Sequence, residues 1–226
     1  MGLPTTIAID GPGASGKSTL GALLAKALGY LYFDTGVMYR AVTLAVIEAG
    51  LDFYDEDAIG ALAEEVHIDV KPPSCDDGRD YDVLLDGEDV TWQIRNEQVT
   101  DHVSDVSAYA AVRKAMTDQQ RRIGKENDVV MVGRDIGTVV MPDADLKIYL
   151  DASVEIRAQR RYQELIERGE EIQYETVLRS LRNRDQIDSN REIAPLKPAE
   201  DAIVIKADNM GIQEVLEKAK ELIYSV

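Results

Sequence analysis

The chain predicts an α/β fold: a parallel sheet flanked by helices, with a small antiparallel insert. Three features of the sequence carry that prediction. Short apolar strands alternate with amphipathic helices along most of the 226 residues, the pattern of a parallel sheet covered on both faces. A glycine-rich turn links the first strand to the first helix. Between Ile68 and Val90 the periodicity switches to β-type alternation, which marks a local antiparallel element.

Thr6–Asp10 is the first strand, and Lys17–Leu28 is a helix whose Leu20, Leu23, Leu24 and Leu28 recur at helical spacing before Gly29 stops it. Leu31–Phe33 is a second strand ending in Asp34-Thr35-Gly36. Met38–Ala49 and Asp55–Val66 read as helices, the second acidic and amphipathic. In the insert, Pro72-Pro73 and a polar tip, Ser74–Asp80, separate two strand patterns, and Asp86-Gly87 is a hairpin signal. Helices resume over about 98–123. Asp128–Val132 is a buried strand before Gly133-Arg134-Asp135-Ile136-Gly137. Leu146–Leu150 is a strand, Ser153–Arg168 and Tyr174–Asp188 are helices, 190–200 is a proline-containing loop, and Ala202–Lys206 and Gly211–Tyr224 are the last strand and helix.

Composition narrows the function. Hydrophobic residues make up 45% and charged residues 30%, enough for a real core. No apolar run is long enough to span a membrane, and the opening residues lack a signal-peptide pattern. The single Cys75 excludes an intrachain disulfide, and with His67 and His102 it offers no zinc-site spacing. Both histidines read as structural. The expectation is a soluble cytoplasmic protein. Net charge is −17, which disfavours nucleic-acid and membrane partners. Residues 1–100 hold 6 basic and 18 acidic side chains, and residues 101–226 hold 19 and 24. An anionic ligand therefore needs a local arginine cluster.

Gly11-Pro12-Gly13-Ala14-Ser15-Gly16-Lys17-Ser18 fits G-x-x-x-x-G-K-[ST] in full, between a strand and a helix. Such a loop turns successive N–H groups inward at a helix N-terminus, where they hold phosphates. Lys17 reaches the outer phosphates and the Ser18 hydroxyl can ligate Mg²⁺; Thr19 follows in the first helical turn. The same loop spells Gly11-x-Gly13-x-x-Gly16, with Asp34 at a distance that suits a ribose contact. Lys17-Ser18 weighs against that dinucleotide reading. A guanine-reading N-K-x-D is missing, and Asp57-Ala58-Ile59-Gly60 reads as helix surface.

A small P-loop kinase needs a second anion pocket for the acceptor. Asp34-Thr35-Gly36-Val37-Met38-Tyr39-Arg40 and Gly133-Arg134-Asp135 both follow strand ends, where open α/β sheets bind ligands. Arg40 and Arg134 suit a phosphate clamp. Arg157, Arg160 and Arg161 open one helix, with Arg182 and Arg184 on the next. They read either as solvated arginines paired with Glu155, Glu164 and Glu167 or as a lid over a triphosphate, with Gly169 near its tip.

These stretches, with Leu85–Val90, Val132–Val140, Leu150–Ser153 and Asn190-Arg191-Glu192-Ile193-Ala194-Pro195-Leu196, resemble bacterial-type cytidylate kinases along essentially the whole chain. Thr35 stands where serine is also common, and 71–80 matches nothing in that pattern. The resemblance implies ATP and Mg²⁺ as cofactors and transfer of a phosphoryl group to CMP or dCMP by a monomer. It implies a core of 1–38 and 125–226 with a lid at about 157–172, and a monophosphate-binding region of 39–124 with its β insert at about 67–92. It puts Lys17, Arg134, Arg157 and Arg161 in catalysis. It assigns Gly11–Thr19 and Arg184 to the donor, and Thr35, Tyr39, Arg40, Ser104, Arg113, Arg134, Asp135, Asp188 and Arg191 to the acceptor. Ser18 and Asp34 go to the metal. The alternatives are another small P-loop kinase, acting on UMP, AMP or a metabolite, and a nucleotide-sensing module without turnover.

Overall fold

A computed structural model describes residues 2–191 and 193–225. Glu192, part of the Asn190–Leu196 stretch, lies outside the described residues. The described residues form strands β1 (Thr6–Asp10), β2 (Leu31–Asp34), β3 (Ile68–Lys71), β4 (Asp82–Leu85), β5 (Glu88–Asp89), β6 (Val129–Gly133), β7 (Leu146–Asp151) and β8 (Ile203–Lys206). The helices are α1 (Lys17–Leu28), α2 (Gly36–Glu48), α3 (Glu56–Glu65), α4 (Glu97–Val106), α5 (Ala110–Glu126), α6 (Val154–Glu167), α7 (Tyr174–Asn190) and α8 (Ile212–Ser225). The strands build a five-stranded parallel sheet, β2-β6-β1-β7-β8, and a three-stranded antiparallel one, β3-β4-β5. Among the described residues, no helix is long and apolar enough to cross a membrane.

The chain divides into two compact units, 1–28 with 130–226 and 29–129. In the first, β1 pairs in parallel with β7, and β7 with β8. The inner strands β6, β1 and β7 are largely apolar, and Ile7, Ile9, Met131 and Ile148 are at most 1% exposed. That is the burial expected of strands covered by helices on either side. The edge strand β8 buries Ile205 but exposes Ile203 and Val204. Leu20 and Leu24 of α1 and Ala219 and Ile223 of α8 are also buried. A separate cluster, Ala158, Leu165, Val177 and Leu181, joins α6 to α7. The chain turns between these helices at Gly169, whose φ is +82°.

In the second unit, α2 packs on α4 and α3 on α5. Asp55 and Asn96 cap α3 and α4, accepting from Ala58 N and Val99 N. The helical stretch expected at about 98–123 is interrupted. A 3₁₀ turn covers Gln93–Arg95, and Ser107 to Tyr109 break α4 from α5. Gly60 lies buried rather than on the helix surface expected for it: a Cβ there would stand 2.7 Å from Ala111 Cβ. Contact this close lets α3 approach α5.

The insert is a meander. β4 pairs along its whole length with β3 and over two residues with β5. Asp86 and Gly87 both have positive φ, +51° and +89°, the two-residue hairpin turn their sequence signals. The 71–80 segment is organised by Arg79, which reaches Asp77 at 2.8 Å, Asp82 at 2.8 Å and Asp89 at 2.6 Å. Trp92 Nε1 donates to Asp77 at 2.9 Å. One guanidinium thus ties the polar tip to β4, β5 and the turn that follows.

Candidate active site

The centre of the first unit is the turn from Gly11 to Gly16. A side chain at Gly11 has nowhere to go, because its Cβ would lie 2.3 Å from the Leu150 carbonyl oxygen. The backbone of β7 thus presses directly on the start of the turn. Lys17 Nζ donates to Pro12 O at 3.0 Å, curling its side chain over the loop. Lys17 is buried, while Ser18 and Thr19 are exposed. Together with Arg161, Met210 and Ile212, these residues line a cavity of about 500 Å³, a size that suits a small-molecule ligand.

Two arginines of α6 back this turn. Arg157, 4% exposed, donates to Ala152 O at 2.9 Å and to Gly13 O at 3.0 Å, and its fork closes on Asp185 at 3.1 and 2.5 Å. Arg160 donates to Ser15 O at 3.4 Å, Ala207 O at 2.6 Å and Met210 O at 3.2 Å. Arg161, one residue on, pairs with Glu164 at 2.8 Å and lines the cavity. Of the three, the surface pairing read from sequence describes only Arg161. Arg182 does pair with Glu155, at 2.9 Å on the surface.

Arg134 leaves the end of β6 for the same turn. Its Nη2 lies 4.0 Å, and Arg184 Cδ 3.8 Å, from where a Gly13 Cβ would stand. Arg134 Nε lies 2.5 Å from Asp188 Oδ2, and Arg191 Nη1 lies 3.6 Å from Asp188 Oδ1. Arg191 Nε also donates to Asp188 O at 3.3 Å, and Leu196 N to the same oxygen at 2.8 Å. Arg134 and Arg191 therefore meet on one buried carboxylate, Asp188, and Arg134 and Arg184 both lie against the glycine-rich turn.

Beyond Arg134 the chain enters a π-helical turn, Ile136–Val140, preceded by Asp135. Asp10 holds its start: Oδ1 accepts from Ile136 N and Oδ2 from Gly137 N, both at 2.8 Å. Burial pushes the Asp10 carboxyl up to about 6; the nearby Asp135 also raises it, while the two N–H groups and Lys17 lower it. Burial likewise pushes the Tyr149 phenol up to about 12, with Asp151 and Asp10 adding to it.

The remaining candidates lie in the second unit. Arg40 Nη1 donates to Ile94 O and Thr100 Oγ1, both at 3.1 Å. Burial lowers the Arg40 pKa, the Arg95 charge lowers it further, and Asp34 opposes both. Asp34 Oδ1 accepts from Gly36 N at 3.0 Å, and Thr35, buried, precedes α2. Arg113, 5% exposed, stands 5.4 Å over the Tyr39 ring, a cation–π contact. Its Nη1 donates to Ser107 O at 3.4 Å, and Ser107 Oγ donates to Ser104 O at 3.1 Å. Tyr39, Ser104 and Arg113 are thus linked. His102 stacks on Phe53 at 3.8 Å, whereas the His67 side chain is exposed with Nε2 3.4 Å from Asp69, and only its backbone N–H donates to Asp86, at 2.7 Å.

Sequence reasoning assigns no role to Asp10 or Asp185, and it names Arg160 only with the other arginines of its helix, not as a residue that holds the turn. Asp10 reads as a strand end. Its immediate position before the first glycine of the turn was the available signal. Asp185 carries none, since its partner is 28 residues away.

Comparison with known proteins gives a consistent answer. Residues 7–225 match the cytidylate kinase family. A cytidylate kinase of Herpetosiphon aurantiacus is 53% identical over 223 residues, covering 99% of this chain and 96% of that protein. One from Chloroflexus aggregans is 52% identical over 226 residues, covering 100% and 96%. Among solved structures, shikimate kinase from Acinetobacter baumannii in complex with shikimate aligns over 99% of this chain and 94% of its own, at 18% identity and a TM-score of 0.47.

Proposed function

The chain belongs to the cytidylate kinase family, and we propose that it moves the γ-phosphoryl group of ATP onto CMP or dCMP, releasing ADP and the corresponding diphosphate. The observation that carries this reading is the pair Arg134 and Arg191 on Asp188, with Arg134 and Arg184 set against the backbone turn that suits a triphosphate.

The acceptor attacks through a phosphate oxygen that is already anionic, so no general base is needed. Catalysis then consists of in-line positioning and charge neutralisation. The backbone N–H groups of Gly11–Thr19 and the Lys17 ammonium take the donor phosphates, with Arg184 beside them. Arg134 and Arg40 grip the acceptor phosphate, and Arg161 draws over the triphosphate from the lid, 157–172. Closure there keeps water from accepting the phosphoryl group. Cytosine presents acceptors at N3 and O2 and a donor at N4, the reverse of uracil at N3 and position 4. Arg113, Arg191 and Ser104 provide donors to the first pair, with Asp135 suited to the amino group; Asp188 takes the sugar hydroxyls. Tyr39, at the start of 39–124, and Thr35, just before it, complete the acceptor wall. A mispaired buried base costs a few kcal/mol, enough to separate CMP from UMP.

Among the described residues, no group of three or more His, Cys, Asp or Glu side chains could hold a metal by itself. That fits Mg²⁺, which keeps several waters and binds through substrate phosphates with few protein ligands. The exposed Ser18 hydroxyl suits direct ligation and Asp34 suits its water shell; the ion would neutralise the charge on the transferring phosphate. The same reading places the protein in the cytoplasm as a monomer, in keeping with its single cysteine.

A coupled ADP-release assay over CMP, dCMP, UMP and AMP tests this proposal. It expects CMP and dCMP to lead by at least about tenfold in kcat/KM. UMP or AMP outpacing both refutes the base-pocket assignment. A wild type that binds ATP but turns over none of the four favours the sensing reading instead.

A further inference from the structure

Three successive cations hold carbonyl oxygens of the glycine-rich turn: Lys17 holds Pro12 O, Arg157 holds Gly13 O and Arg160 holds Ser15 O. We infer that Arg157, behind the turn, and Arg160, at the cavity wall, are positioning residues of the donor site, which fix the turn's peptide planes so that its N–H groups face the phosphates. The inference rests on the donor reading above, and it gives Arg157 a different place from the triphosphate contact expected from sequence.

The physical basis is peptide planarity. In a trans peptide, the C=O of one residue and the N–H of the next point in opposite directions and rotate as one plate. Pinning Gly13 C=O therefore fixes Ala14 N–H on the far side, and pinning Ser15 C=O fixes Gly16 N–H. Both Ala14 and Gly16 line the cavity. A glycine-rich segment, with Ala14 itself at φ +60°, has several alternative peptide orientations. Donors aimed before the ligand arrives need no reorganisation when it does.

Each arginine is itself held. Arg157 is buried, and two of its nitrogens are engaged by Asp185. Arg160 spans the turn and the segment after β8 through Ala207 O and Met210 O. A lysine could supply one such bond but not a fork with three fixed directions. The first two turns of α6 are thereby anchored to the glycine-rich loop, and Arg161 is the first of the three arginines to face the cavity without gripping that loop.

The test measures dissociation constants of Mg·ATP, Mg·ADP and Mg·tripolyphosphate for the wild type, Arg157→Gln and Arg160→Gln, alongside melting temperature and CMP affinity. Pre-aimed amides serve all three ligands alike, so all three affinities should fall together, roughly tenfold for a lost charged hydrogen bond, with CMP affinity unchanged. Loss for ATP and tripolyphosphate but not ADP means direct contact with the γ-phosphate and overturns the inference. Loss for the nucleotides but not tripolyphosphate means contact with the base and overturns it too, as does a drop in melting temperature with no change in affinity. If Arg157→Gln does not fold, Arg160→Gln, half-buried in the wild type, decides alone. A wild type that binds none of the three ligands removes the donor reading itself, and the inference with it.

Discussion

Asp10→Asn separates two opposing forces on one buried carboxylate. Its folded pKa is about 6 against 3.8 for an unperturbed group. That displacement corresponds to about 3 kcal/mol. Because the folded value is raised, the associated stability is fully present below 3.8 and is lost as pH rises through about 6. At neutral pH the protein therefore carries a cost of that order to keep Asp10 ionised, while both oxygens accept from Ile136 N and Gly137 N. The amide introduced by the substitution cannot ionise, but its NH₂ would face a backbone N–H, a penalty of about 1–3 kcal/mol at every pH. Urea unfolding of both proteins from about pH 4 to about pH 7.5 isolates the first effect, since the other titrations cancel in the difference. The stability of Asp10→Asn relative to wild type should rise by about 2 kcal/mol over that range, whatever its offset. A difference that stays flat, or falls as pH rises, would show that the two backbone bonds outweigh burial and would refute this account of Asp10.

Four other outcomes follow from the same geometry. Lys17→Ala removes the cation curled over the turn and should reduce kcat by about 100-fold or more, read by ADP release, with melting temperature nearly unchanged. Gly60→Ala drives a methyl group to 2.7 Å from Ala111 Cβ and should cost about 1–3 kcal/mol by denaturant unfolding, with Ala111→Gly restoring much of it. Arg79→Ala leaves Asp77, Asp82 and Asp89 facing one another without their shared cation, and limited proteolysis should then cut first within 71–80. Arg113→Met keeps the packing over Tyr39 but loses the guanidinium, so the ratio of CMP to UMP kcat/KM should collapse toward unity.

The sheet and the glycine-rich turn were legible because their signals are local. Thr6–Asp10 followed by Gly11–Ser18 names strand, turn and helix from adjacent residues, and Asp86-Gly87 names its own hairpin. The arginines of α6 were legible as a group but not as individuals. Helical spacing puts Arg157, Arg160 and Arg161 near one another, yet what Arg157 and Arg160 meet depends on Gly13, Asp185 and Ala207, far away in sequence. The π-helical turn at Ile136–Val140 escaped because it is held by Asp10, 126 residues earlier, and no local propensity encodes that contact. Gly60 was misplaced for the same reason: its neighbour is Ala111 on another helix. The break at Ser107 to Tyr109 has neither proline nor glycine to announce it.

A crystal structure with CMP and a non-hydrolysable ATP analogue bound together addresses the central claim most directly. The account predicts triphosphate oxygens on the N–H groups of Gly13–Ser18, the CMP phosphate on Arg40 and Arg134, and the cytosine edge facing Arg113 and Arg191. A CMP phosphate seated away from Arg134, or a triphosphate bound outside the glycine-rich turn, would contradict it.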